Sequence, residues 1–360
     1  MSGRWALPAL TEGELAPNFY AETRLNPKFH FTMAAGRYVL LAFLPGDPAG
    51  LAAALAAFEP IRSRFDDRFL GAFFVARGLT GAETPGDRLP GQRWFIDPED
   101  GLAPRCDPGP DGLGWLLFDP ALRLMARAPI DRPEALFARI AALPPLDIYG
   151  GGPMTAPVLI VPRVFEPELC QQLIDLYEAE GGQPSGIMRD VGCRTVGVLD
   201  GMKSRRDVQV RDLALRGEIV ERIERSVKPM IRRAFHFHAT RIERYTVACY
   251  DAAEGGFFRP HRDNVSLATA HRRFACSINL NAEAFEGGDL RFPEFGPRTY
   301  RPPTGGAMVF ACNLLHEATP VTRGRRYAFL PFLHDEAGER IREQNSAFLD
   351  LPESEGAPSR

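Results

Sequence analysis

At 360 residues, with 45% apolar and 25% charged residues, the chain has the composition of an ordinary soluble protein and the length for two hydrophobic cores. A formal charge of −3 gives no general attraction for nucleic acid or an anionic membrane surface, so neither is expected as a partner. No stretch is apolar for long enough to span a bilayer, and the first residues lack the apolar core of a signal peptide; the cytoplasm is the expected location.

In chain order, Tyr38–Leu44 is a continuous apolar run ending at Pro45-Gly46, the pattern of a buried strand. An alanine-rich helix is predicted over 49–65, and strands over 69–75, 92–96 and 115–118. Asp131-Arg-Pro-Glu opens a last helix, with Asp131 as its N-cap and Pro133 in the first turn. Alternating strands and helices imply an α/β layer domain over 1–145. The Gly-Pro-rich stretch 146–156 is expected to be a linker.

A short strand (158–161) and two amphipathic helices (166–181 and 211–234) follow. The segment between the helices, 182–210, is rich in Gly, Arg and Asp and is expected to be a mobile loop covering a substrate. Short strand candidates then run over 243–250, 273–280, 288–292, 307–310 and 325–332. Helices followed by strands suggest a jelly roll with flanking helices over 157–336, leaving 337–360 as a tail. The six cysteines (Cys106, Cys170, Cys193, Cys249, Cys276 and Cys312) form no CxxC pair, and most sit among apolar neighbours, as buried free thiols would.

Chemistry concentrates late in the chain. His261 and Asp263 are two residues apart, so in extended backbone both side chains project from one face. His316 follows another strand candidate 53 residues after Asp263. Two imidazoles and one carboxylate on one face of an octahedral metal leave three positions open, the facial triad of non-haem iron(II) oxygenases. Arg326, ten residues after His316, shares strand parity with Ala328 and Leu330 and so points inward. A guanidinium there is costly unless it meets an anion, and its planar fork suits a carboxylate. Arg325 has the opposite parity. His236 and His238 have no carboxylate nearby and read as structural; His271 and His334 sit beside charged residues and are expected to be exposed. Arg205, Arg206, Arg259 and Arg262 could reach a substrate but are more simply read as solvated.

These residues carry a resemblance. Tyr250 begins Tyr-Asp-Ala-Ala-Glu-Gly-Gly-Phe-Phe-Arg-Pro-His-Arg-Asp, Glu286-Gly-Gly-Asp-Leu-Arg-Phe follows, and His316 precedes Pro320-Val-Thr-Arg-Gly-Arg-Arg326. In that order they resemble the prolyl-4-hydroxylase-like branch of the 2-oxoglutarate/Fe(II) dioxygenases. The resemblance implies a double-stranded β-helix binding Fe(II) through His261, Asp263 and His316. It also implies 2-oxoglutarate held by Arg326 and dioxygen as co-substrate, with ascorbate supportive. Tyr250 would donate to the distal carboxylate of 2-oxoglutarate, with Tyr245 the second candidate. The implied reaction is C–H hydroxylation coupled to decarboxylation of 2-oxoglutarate to succinate, on a prolyl or related group of a peptide or protein. A small metabolite and oxidative demethylation stay open as alternatives. Asp263 argues against halogenation, whose enzymes lack the triad carboxylate.

The first region resembles the thioredoxin-like peroxiredoxins through Gly13-Glu-Leu-Ala-Pro-Asn-Phe19, the 36–45 strand and Ile96-Asp-Pro-Glu-Asp-Gly101. That family places Thr and Cys four and seven residues after its Pro; counted from Pro45, these positions hold Ala49 and Ala52. Without a thiolate there is no nucleophile for a peroxide. Such a domain suits recruitment of a partner or homo-oligomerisation, and a pure scaffold is the competing reading for the whole chain.

Overall fold

The computed structural model describes residues 10–191 and 194–350. Cys193 and the last ten residues of the expected tail lie outside them. Two compact units are present: residues up to Thr155 together with Pro293–Arg298, and the remainder from Ala156 onward.

In the first unit a five-stranded sheet runs in the order Gln92–Phe95, Leu70–Ala76, Tyr38–Leu44, Gly114–Phe118, Leu124–Ala128. The first three strands are parallel, and the last two are added antiparallel. Every residue of Tyr38–Leu44 is buried, as expected for a central strand covered on both faces. Phe58, Phe74 and Phe137 pack around Trp115. The alanine-rich helix is shorter than predicted. It covers Pro48–Phe58, capped by the Asp47 side chain accepting from Gly50 N, and Pro60 tightens the next residues, Glu59–Arg64, into a 3-10 turn. The last helix starts at Glu134 with Pro133, not Asp131, at its N-cap position. The expected linker begins with packed residues, for Leu146 and Tyr149 lie against this unit's core.

The second unit is a double-sheet, jelly-roll-like structure with helices Pro167–Glu180 and 213–235. Leu169, Leu173, Ile219, Ile223, Val227 and Ile231 supply the helical side of its core. The 213–235 helix is not uniform. Pro229 has no N–H to return to the preceding turn, and Ile223–Val227 widens into a π turn just before it. The larger sheet includes Thr246–Asp251, Phe274–Asn279, Ala307–Ala311 and Arg325–Phe329. The smaller one runs Lys203–Ser204, Phe257–His261, His316–Ala318, Leu290–Arg291, Thr299–Tyr300.

Two expectations fail here. Residues 182–210 are largely strand: Ile187–Val191 pairs antiparallel with Arg194–Val198, and Arg206–Gln209 joins the larger sheet against Thr246–Asp251. Charged residues on both faces mask the period-two alternation there. The expected tail opens with a helix, Glu336–Asn345, capped by the Asp335 side chain accepting from Gly338 N.

Gly256 sets the approach to the Phe257–His261 strand. A Cβ on it would lie 2.6 Å from Asp251 N and 2.7 Å from the Tyr250 carbonyl carbon. Gly256→Ala must therefore push backbone apart, at a cost of about 1–3 kcal/mol. Urea denaturation is expected to show that loss together with weaker metal binding at His261.

Candidate metal centre

The smaller sheet places two of the expected ligands directly opposite one another: His261 and His316 are cross-strand partners. The register shifts by one residue between Phe258 and His261, a bulge that accommodates Pro260, which has no N–H for the ladder. Asp263 lies beyond the strand end, so alternation along a strand is not what aims it. Its backbone N–H donates to Cys312 O at 2.9 Å, which ties its turn to the segment leading into His316.

The three side chains converge. His316 Nε2 is 3.3 Å from Asp263 Oδ2, His261 Nε2 is 3.6 Å from Asp263 Oδ1, and one ligand atom from each residue falls within 4.8 Å of the others. Ligands about 2.1 Å from one metal at right angles would be roughly 3 Å apart, so a small contraction closes the set. Each imidazole is also turned the right way. His261 Nδ1 donates to Arg259 O at 2.8 Å and His316 Nδ1 to Leu314 O at 3.0 Å. The proton is therefore on Nδ1, and the Nε2 lone pair faces the carboxylate and any metal. Burial, with His261 adding to it, pushes the His316 pKa down to about 4 and keeps that ring neutral. Asp263, despite its burial, is held below the usual carboxylate range because, in acid, the protonated His316 and His261 rings favour its ionised form. The donor set fits a divalent metal.

Phe258 stacks on His261 at 3.4 Å between ring centroids, and Phe310 packs against His316 at 4.5 Å. Both imidazoles are thereby held against rotation.

On the larger sheet Tyr250 and Arg326 are likewise cross-strand partners. Arg326 is 2% exposed, as its parity required, whereas Arg325 is exposed and pairs with Asp251 and Glu178. Ser277 Oγ accepts from Arg326 Nη2 at 2.9 Å, Asn279 Oδ1 accepts from Nε at 3.4 Å, and the Tyr250 ring lies 5.2 Å from the guanidinium. No carboxylate among the described residues forms an ion pair with it, and burial lowers its pKa. Gly288 runs close beneath: its φ is +68°, and a Cβ there would meet Arg326 Cδ at 3.2 Å. Tyr245 is not part of this group. It precedes the strand and packs under Arg216 on the helical side.

Of the four arginines thought able to reach a substrate, Arg205 is buried in an ion pair with Asp207 at 2.6 Å, and its Nη1 donates to the Tyr250 hydroxyl at 3.4 Å. Arg206 and Arg259 donate to Gly182 O and Gly201 O, and Arg262 donates to Asn313 O. His236 and His238 belong to no ligand cluster among the described residues. His271 and His334, expected to be exposed, are 2% and 1% exposed; carboxylates beside them, not solvent, account for their charged neighbours.

Sequence reasoning missed three contributors. Ser277 and Asn279 alternate with Cys276 and Ile278 on a fully buried strand, so two polar residues on one inward face were a legible signal. Lys203 had none. Its Nζ donates to Ser185 Oγ and Gly186 O, both at 2.7 Å, over the Phe258 ring, and burial followed by Arg205 pushes its pKa down to about 6.

Residues 245–334 match the family described as the 2OG-Fe(II) oxygenase superfamily. Among curated proteins, a PKHD-type hydroxylase of Synechococcus sp. is 30% identical over 88 residues, 23% of this chain and 38% of that protein. One of Verminephrobacter eiseniae is 29% identical over 119 residues, 31% and 49% of the two chains. The chain thus spans less than half the length of the curated relatives it matches. A solved Pseudomonas putida prolyl-4-hydroxylase is 18% identical, with 54% of this chain and 98% of that chain covered and a TM-score of 0.40. The matched family is one that uses Fe(II) and 2-oxoglutarate, and the donor set described above fits the metal.

His261→Ala or Asp263→Ala is expected to remove one bound equivalent in an equilibrium-dialysis titration with Co(II), while the far-ultraviolet circular dichroism stays unchanged.

Proposed function

We propose that the second unit is an Fe(II)/2-oxoglutarate-dependent dioxygenase that hydroxylates a C–H bond, with His261, Asp263 and His316 as metal ligands. The observation that carries this is the pairing of a convergent, pre-oriented His/Asp/His set with a buried guanidinium that lacks an ion-pair partner among the described residues. Bound iron would supply the oxygen activation that no side chain can perform. The chain's own residues do the rest. Arg326, held by Ser277 and Asn279, binds the distal carboxylate of 2-oxoglutarate, and the Tyr250 hydroxyl, already accepting from Arg205, donates to that same group. Apolar packing by Phe258, Phe292 and Phe310 around the imidazoles limits water at the ligands.

Arg326→Ala is expected to raise the 2-oxoglutarate KM in a succinate-release assay by the equivalent of about 2–5 kcal/mol with metal binding retained. Arg325→Ala, which loses only exposed ion pairs, should leave that KM nearly unchanged. The reverse order would place the binding cation one residue away.

The substrate reading is a prolyl or similar amino-acid group presented on a peptide or protein, supported by the PKHD-type hydroxylases that this chain resembles. Incubation with Fe(II), ascorbate, 2-oxoglutarate and proline-containing peptides should yield peptides heavier by one oxygen in mass spectrometry. Unmodified peptides alongside a small molecule that gains oxygen would replace this substrate class and leave the oxygenase reading in place.

The first unit reads as a thioredoxin-like domain without peroxidase chemistry that recruits a partner or dimerises the chain. Its strand order and the Pro45 that ends its central strand support this. Ala49 and Ala52 lie in the helix after that strand, and the Cys106 thiol is pushed up to about 12 by burial.

A further inference from the structure

Arg205 links the two sheets of the second unit. It is the residue between Lys203–Ser204, in the smaller sheet, and Arg206–Gln209, in the larger one. Its side chain is buried and gripped from one side by Asp207: Nε donates to Oδ1 at 2.7 Å, and Nη2 donates to Oδ2 at 2.6 Å. Ser185 Oγ accepts from Nη2 at 3.2 Å and donates to Asp207 Oδ2 at 2.6 Å, so the carboxylate is itself held. Burial disfavours the charge on Arg205, but Asp207 outweighs it and the guanidinium stays ionised.

A guanidinium engaged through Nε and Nη2 leaves Nη1 on its far side, pointing away from the carboxylate. Nη1 meets the Tyr250 hydroxyl at 3.4 Å, its one acceptor among the described residues. An arginine only donates, so in this contact Tyr250 accepts, and the phenolic proton is left to point elsewhere. Arg326, whose guanidinium lies 5.2 Å from the Tyr250 ring, cannot receive that proton, because it too only donates. Tyr250 is buried, and among the described residues nothing accepts from its hydroxyl. A buried donor without an acceptor is costly, and here it stands beside a buried guanidinium with no ion-pair partner among the described residues.

We propose that Arg205 is a positioning residue for the co-substrate: by donating to the Tyr250 hydroxyl it turns that group into a donor for the distal carboxylate of 2-oxoglutarate beside Arg326. The inference rests on the oxygenase reading and adds to it a residue that acts through Tyr250, itself apart from the metal ligands. Without Nη1 the hydroxyl is free to rotate, and the cost of fixing it falls on binding.

The test is a calorimetric titration of 2-oxoglutarate into the Mn(II)-loaded full chain in the absence of oxygen. Four proteins complete a cycle: the unaltered chain, Arg205→Lys, Tyr250→Phe and the double variant. Arg205→Lys keeps a cation for Asp207 but lacks the second arm that reaches Tyr250. Each single variant is expected to weaken 2-oxoglutarate binding roughly tenfold, and the double variant no further, with Mn(II) affinity unchanged throughout. Wild-type affinity in Arg205→Lys would overturn the proposal. So would a loss from Arg205→Lys that recurs in full beside Tyr250→Phe, which is the pattern of a merely structural role. Should Arg205→Lys fail to fold, Arg205→Gln combined with Asp207→Asn removes both buried charges together and is judged by the same two outcomes. Failure of the unaltered chain to bind 2-oxoglutarate at all is a distinct result, which brings down the oxygenase reading and this inference with it.

Discussion

A guanidinium placed in a protein interior with no ion-pair partner among the described residues is the constraint around which the second unit is arranged. Arg326 is a costly residue to bury: among the described residues its direct contacts are a serine, an amide and an aromatic face, and burial works against its ionised form. Polar residues on an otherwise apolar strand and a glycine with left-handed φ beneath the side chain make room for that charge, while Arg205, itself braced by Asp207, repels it and adds to the cost. On the proposed reading, a dianion arriving with one carboxylate for the guanidinium would recover that cost.

The two sheets divide the work. The smaller sheet presents imidazoles as register partners, and the larger sheet presents the arginine and tyrosine as register partners. Each functional pair is thus a cross-strand neighbour pair, the closest spacing that two strands offer to side chains from distant parts of the chain.

Parity made much of this legible in advance. The inward face of Arg326 and the alternation that separates it from Arg325 are consequences of strand geometry, and they were readable residue by residue; the same alternation applied to His261 and Asp263 does not hold, because the strand ends at His261. The features that stayed hidden depended on partners far away in sequence. Asp263 is aimed by a hydrogen bond to Cys312 rather than by strand alternation, and His271 and His334 are buried because Glu243 and Glu339 meet them. Charged residues on both faces concealed the pairing of Ile187–Val191 with Arg194–Val198. A missing donor at Pro229 split one predicted helix into two α segments around a π turn.

The bulge between Phe258 and His261 has a consequence for anyone altering this domain. Slipping the smaller sheet by one residue would turn His261 to the opposite face from His316 and dismantle the ligand set at a stroke. On the proposed ligand set, metal retention would gauge strand alignment, and a colony screen for cobalt bound through His261 would sort correctly paired variants from misaligned ones without any knowledge of the natural substrate.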